Sequence, residues 1–107
     1  MIFVDCYGTL VERHSTNWVN RPLIEAIHAF RDKDPSQGLC IWTWGTLREA
    51  EEVSQRCFGI KDYAAVKAYE GYTTGDIIVD DHPEEWEAYA NGARVITAEQ
   101  FITEAQS

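Results

Sequence analysis

The sequence has no cluster of Lys and Arg, no paired cysteine spacing and no long apolar run, and each absence weighs against a class of function. Nine Lys and Arg stand against eighteen Asp and Glu, a formal net charge of -9. That balance repels phosphate backbones and anionic membrane surfaces unless positive charge is gathered locally. Nucleic acid is therefore not favoured as a partner. Cys6, Cys40 and Cys57 lie in or near apolar runs without metal-ligand spacing, so they read as reduced core or edge residues. No stretch approaches the ~20 apolar residues that a membrane-spanning helix needs. The chain opens on a strand pattern, without the basic segment, apolar run and cleavage site of a secretory signal. The expectation is a cytoplasmic protein with no membrane partner.

What is present is enough for one core. The 107 residues are 45% apolar and 25% charged, which suits a single domain over residues 1–107. Met1 to Cys6 is apolar up to Asp5 and breaks at Gly8, the pattern of a buried strand ending at Asp5. Pro22 fits the first turn of a helix whose Leu23, Ile24, Ile27 and Phe30 recur at helical spacing to about Lys33. Leu39 to Trp42 reads as a second strand closed by Thr43. Thr46 and Glu49 have the spacing of a capping box for a helix from Leu47 to about Cys57. A short third strand lies within Ile60 to Val66, and Gly71 to Gly75 reads as loop. Ile77, Ile78 and Val79 form a fourth strand running into Asp80, Asp81 and His82. Pro83 then predicts a helix from Glu84 to about Asn91, ended by Gly92. Ala93 to Ile96 is a fifth strand and Ala98 to Ala105 a last helix.

Apolar strands alternating with helices predict an α/β fold: an open parallel sheet of the Rossmann-like kind with helices on both faces, a three-layer sandwich. In such sheets ligands bind at the carboxyl ends of the strands. Asp5, Thr43, Lys67, Asp80 and Asp81 all fall there. The helix start after Thr46 would also direct free amide groups toward the tip of the second strand, placing Thr43 and the backbone around Gly45 to meet an anion.

The run Ile2-Phe3-Val4-Asp5-Cys6-Tyr7-Gly8-Thr9-Leu10 resembles the first motif of the haloacid dehalogenase-like (HAD) superfamily, an apolar strand followed by Asp, two residues, Gly and Thr. Thr43 after Cys40-Ile41-Trp42 resembles the second motif, Lys67 the third, with Lys61 its competitor, and Ile78-Val79-Asp80-Asp81 the fourth. The resemblance spans nearly the whole chain. It implies that Asp5 is a nucleophile that attacks phosphorus to form an aspartyl-phosphate. Asp5, the backbone carbonyl of Tyr7 and Asp80 or Asp81 would surround Mg2+, Thr43 would bind a phosphoryl oxygen, and Lys67 would steady the nucleophile and the developing charge. A carboxylate approaches an anionic phosphoryl group only when a cation offsets the repulsion, and hard oxygen donors suit magnesium.

The chain departs from this pattern at Tyr7, where family phosphatases usually carry a second aspartate that protonates the leaving group. A phenol with a pKa near ~10 is a poor base at neutrality. Loss of general acid/base help costs about 10²- to 10⁴-fold, so turnover is expected to be slow or confined to good leaving groups. The resemblance thus implies a magnesium-dependent phosphohydrolase. A low-turnover or non-catalytic regulatory protein that binds phosphate or metal is the alternative, and a metal-independent haloacid dehalogenase is the least favoured. The dozen or so residues between Thr9 and Pro22 are too few for a helical cap, and Ala68 to Asp76 leaves no room for the other cap type. A capless site suits a large phosphorylated substrate, or a partner subunit as lid; a homo-oligomer stays open.

Other residues invite a role and have a plainer one. Thr9 supports the loop. Tyr7 either donates to an anion or packs over the loop, and packing is favoured. His82 is an acid/base candidate by its place but reads as a partly exposed loop residue, while His14 and His28 have no catalytic pattern around them. Cys6 should point away from the site, because neighbours on a strand face opposite sides. Trp42 reads as core. Trp44 and Trp86 follow strand tips and are candidates to wall the site, and Trp18 to cover part of its entrance, although packing on the sheet explains each. Glu84, Glu85 and Glu87 read as a solvated helix start.

Overall fold

Alternation along each strand decides what lies on the two sides of the sheet, and here both sides are apolar. The computed structural model describes residues 1–12 and 17–106, so His14 lies outside the described residues. The strands are β1 (Ile2–Asp5), β2 (Leu39–Thr43), β3 (Ala64–Val66), β4 (Ile77–Val79) and β5 (Arg94–Ile96). They form one five-stranded sheet in the order β3-β2-β1-β4-β5, parallel throughout. Register aligns Val4 with Ile41 and Val79, and Phe3 with Cys40 and Ile78. One face therefore presents Ile2, Val4, Ile41 and Val79, and the other Phe3, Cys40, Trp42 and Ile78.

Three α-helices cover the first face. α1 (Arg21–Lys33) starts where the Asn20 side chain accepts from the Leu23 amide, and it buries Leu23, Ala26 and Ile27. α2 (Leu47–Phe58) has a full capping box between Thr46 and Glu49, buries Ala50 and Val53, and stops at Gly59, whose φ of 81° is left-handed. α3 (Ala98–Ala105) repeats the device with Thr97 and Gln100 and buries Phe101. All three join Ile2, Val4, Ile41 and Val79 in one core cluster.

The second face is covered differently from the expectation of helices on both sides. Its cluster is Trp42, Tyr72, Ile78 and Trp86, with Phe3, Cys40 and Val95 packed against it, and Tyr72 and Trp86 come from irregular segments. The helix predicted over Glu84 to Asn91 is a single 3-10 turn, Pro83–Glu85. Further single turns follow, with the Tyr89 amide bonding to the Trp86 carbonyl and the Ala93 amide to the Ala90 carbonyl. No side-chain cap starts this segment, and the fully buried Trp86 fixes its course instead: the ring fills the sheet's open face while the chain turns around it. Asn91 and Gly92 both have positive φ, which reverses the chain into β5.

Strands are added outward from β1 to β2 and β3 on one side and through β4 to β5 on the other, so the topological switch point lies between β1 and β4. Crevices at such switch points are where open parallel sheets bind ligands. Among the described residues no helix is long and apolar enough to cross a membrane.

Candidate functional site

Asp5 is the last residue of β1 and Asp80 the first after β4, so pairing of the two strands alone brings their carboxylates to one edge. Lys67, just beyond β3, arrives there because its amide bonds to the Thr43 carbonyl at 2.9 Å, continuing the β2–β3 pairing by one step. Its ammonium then sits between the two acids, Nζ lying 2.7 Å from Asp5 Oδ1 and 2.9 Å from Asp80 Oδ2. Asp5, Lys67 and Asp80 are all buried. Lys61 lines a separate groove beside α2 with Arg48 and Arg56, so Lys67 is the lysine the fold brings to the strand tips.

The two carboxylates differ in their partners. Asp5 Oδ2 accepts from Thr9 Oγ1 at 3.0 Å. Asp80 accepts from the His82 amide at 2.9 Å and from the Trp86 indole N–H at 3.0 Å, in addition to Lys67. Burial raises the Asp5 pKa to about 7, with the Asp80 charge adding to the rise and Lys67 and Thr9 opposing it. Burial also works against the Asp80 carboxylate, yet the His82 amide, Lys67 and Trp86 outweigh it and hold its pKa below the usual value. Burial disfavours the Lys67 ammonium as well, but Asp5 and Asp80 raise its pKa above normal.

Asp81 completes the group. It has an oxygen within 4.8 Å of oxygens of both Asp5 and Asp80, and its side chain is 28% exposed. Asp5, Tyr7, Thr43, Lys67, Asp80 and Asp81 all line one cavity of about 220 Å3. Every site residue expected from the sequence is thus at this cavity. Thr43 Oγ1 accepts from the Gly45 amide at 3.2 Å, which turns the backbone just after β2.

Some neighbours do other things. The Tyr7 phenol is raised above its usual pKa, first by burial and then by the Glu49 carboxylate against its hydroxyl. It stays protonated and serves Glu49. Cys6 is packed in the helix-side core, and burial pushes its thiol up and out of reach of neutral pH. His82 is exposed, 3.3 Å from Glu84 and 3.7 Å from Asp81, and Asp81 first and Glu84 next raise its pKa. His28 packs edge-on against Phe58. Trp18 is half-exposed and is not among the residues lining the cavity.

Two features escaped sequence reasoning. One is the Trp86 N–H on Asp80, which links the second face's core to the site. The other is Tyr69, which meets Trp44 at 4.7 Å and Trp86 at 5.4 Å between ring centroids. The only sequence signal for either was an aromatic residue inside a polar, turn-rich segment. Compared with protein-family models, curated proteins and solved structures, the chain matches none.

Proposed function

We propose that this protein is a magnesium-dependent phosphohydrolase of the capless HAD-like kind, working through an aspartyl-phosphate on Asp5. The observation that carries the reading is Lys67 held between Asp5 and Asp80 in a cavity that also admits Thr43 and Asp81. Carboxylate oxygens from three residues within 4.8 Å are a donor set that suits a hard divalent cation. Asp80 already accepts three hydrogen bonds, whereas Asp81 is the more open carboxylate. Asp5, Asp81 and the Tyr7 carbonyl would therefore hold the ion directly, with Asp80 orienting Lys67. Bound there, magnesium supplies positive charge that favours ionised Asp5 and offsets the charge of an incoming phosphoryl group.

The chain's own residues do the rest. Lys67 orients the Asp5 carboxylate and meets the negative charge that develops on the phosphoryl oxygens. The Thr43 hydroxyl donates to one of those oxygens. Thr9 fixes the second oxygen of Asp5, so attack comes from one direction. The expected outcome is magnesium-dependent phosphate release from an aryl phosphate, abolished by Asp5→Asn. Inactivity with magnesium across small, protein-borne and polynucleotide phosphate esters would overturn the reading.

One observation favours the second reading, a phosphate- or metal-binding protein of low turnover. The Tyr7 phenol is raised in pKa and engaged with Glu49, so it offers no base to activate water. Under that reading the protein retains magnesium and a phosphate analogue without multiple turnover, and Tyr7→Asp raises hydrolysis strongly.

A further inference from the structure

We infer that the site has a leaving-group subsite for a planar ring, formed by Trp44 and Tyr69 at the rim of the cavity, and that its preferred substrates are aryl phosphates. This rests on the proposed phosphatase reading and names its substrate class. The cavity of about 220 Å3 has room for a phosphoryl group near Asp5, so the ester's organic part must lie on the rim. Trp44 lines the cavity and is 47% exposed, and Tyr69 is 48% exposed. Their rings meet at 4.7 Å. Beneath them lies Trp86, fully buried and parallel to Trp44 within 1° at 5.7 Å. Tyr69 also touches Tyr89 at 4.4 Å.

Exposed aromatic rings held in place from below lose little freedom when a ligand ring lands on them. Trp44 and the Trp86 ring beneath it also flank the lysine, whose Nζ lies 5.8 Å from the Trp44 centroid and 5.7 Å from that of Trp86. The rim is thus tied to the atom that steadies the reacting phosphoryl group.

The chemistry at Tyr7 points the same way independently. The side chain at position 7 is a phenol engaged with Glu49, not a carboxyl group that could itself protonate a leaving oxygen. An alkoxide leaves badly without a proton, whereas a phenolate is stable enough to leave with the bonding pair and collect its proton from water at the open rim. In the first step an Asp5 oxygen bonds to phosphorus as the bond from phosphorus to the phenolic oxygen breaks. In the second, a water oxygen bonds to phosphorus, the bond to Asp5 breaks, and the water's proton passes to solvent.

The test has a turnover arm and a binding arm, both on the magnesium-loaded protein. Phenyl phosphate and a phosphotyrosine peptide are compared with glycerol phosphate and a phosphoserine peptide; the better of the two aryl esters shows whether the ring is presented free or on a protein. The expected result is kcat/KM at least about tenfold higher for the aryl esters, a factor that one stacking contact can supply. Trp44→Ala and Tyr69→Ala each reduce that ratio, and Trp44→Phe restores it. Phenylphosphonate and methylphosphonate, which cannot be hydrolysed at an ester, are compared by calorimetry. Preferential binding of phenylphosphonate, lost in Trp44→Ala, supports the subsite even if no ester is turned over, an outcome that would overturn only the phosphatase reading. Equal or absent binding of the two phosphonates, or an aryl-to-alkyl ratio unchanged in both alanine variants, overturns the subsite.

Discussion

Asp5 and Asp80 are the same residue type at adjoining strand ends, yet their protons are held differently. Burial pushes both carboxylates toward the protonated form, and the donors decide how far: Asp80 has the His82 amide, Lys67 and the Trp86 indole, and Asp5 has Lys67 and Thr9. One lysine cannot neutralise two buried carboxylates, so the less supported one keeps a proton. The consequence is a stability that depends on pH in the metal-free protein. The Asp5 pKa is about 7 in the fold against 3.8 ordinarily, so between about pH 4 and 7 the folded state binds a proton that the unfolded chain has released. Stability is therefore greatest at the acid end of that window and falls as pH rises through 7, by on the order of 2–4 kcal/mol. His82, raised by Asp81 and Glu84, loses its contribution in the same direction, and comparison with Asp5→Asn separates the two. Urea unfolding in chelator at pH 5, 6, 7 and 8 should show the wild-type midpoint falling with pH and a flatter profile for Asp5→Asn. Parallel profiles would sink the assignment of the proton to Asp5.

At the scale of elements, the loop after β1 and the loop after β4 are pressed together at Gly8. Its φ is 85°, and a Cβ there would lie 2.5 Å from Asp81 Oδ2. Gly59, with a φ of 81°, has open space where its Cβ would be. Alanine at either position meets the left-handed penalty of about 1–2 kcal/mol, but only at Gly8 does it also displace a carboxylate. Asp81 is short and partly exposed, so it swings aside instead of unfolding the chain. Gly8→Ala should match Gly59→Ala in urea unfolding while weakening magnesium about tenfold or more, the scale seen when groups that position metal ligands are lost. Equal magnesium affinities in the two variants would remove Asp81 from the ligand set. The positions of these loops follow from features that the sequence displays. Apolar runs ending at Asp5, Thr43 and Asp80 set the strand tips, and the Thr46–Glu49 and Thr97–Gln100 spacings set two helix starts. The segment after Pro83 was not legible, because Pro before and Gly after suit a helix equally well. What decides against it is Trp86, whose burial depends on a sheet face left open by distant segments. Lys67 rather than Lys61 was likewise undetermined until the end of β3 was known.

For the molecule as a whole, the net charge of -9 and the carboxylate group at the strand tips make two separate claims on cations. Self-repulsion over the surface weakens the compact state and is relieved by any salt, through screening over a distance of about 10 Å at 0.1 M. Binding at Asp5 and Asp81 would stabilise only with an ion that fits, and by an amount that grows with its concentration over its dissociation constant. The aromatic core of the second face joins the two scales, because Trp86 belongs to that core and also bonds Asp80, so an ion bound at the tips braces a face that lacks α-helix among the described residues. Thermal unfolding in NaCl and in MgCl2 at matched ionic strength separates the contributions. NaCl should raise Tm gradually in the wild type and in Asp81→Asn alike. MgCl2 should raise the wild-type Tm further, by about 4–8 °C for each kcal/mol of binding in a domain of this size, and this excess should vanish in Asp81→Asn. Equal Tm values for the wild type in the two salts would leave the charge effect standing and remove magnesium from the site.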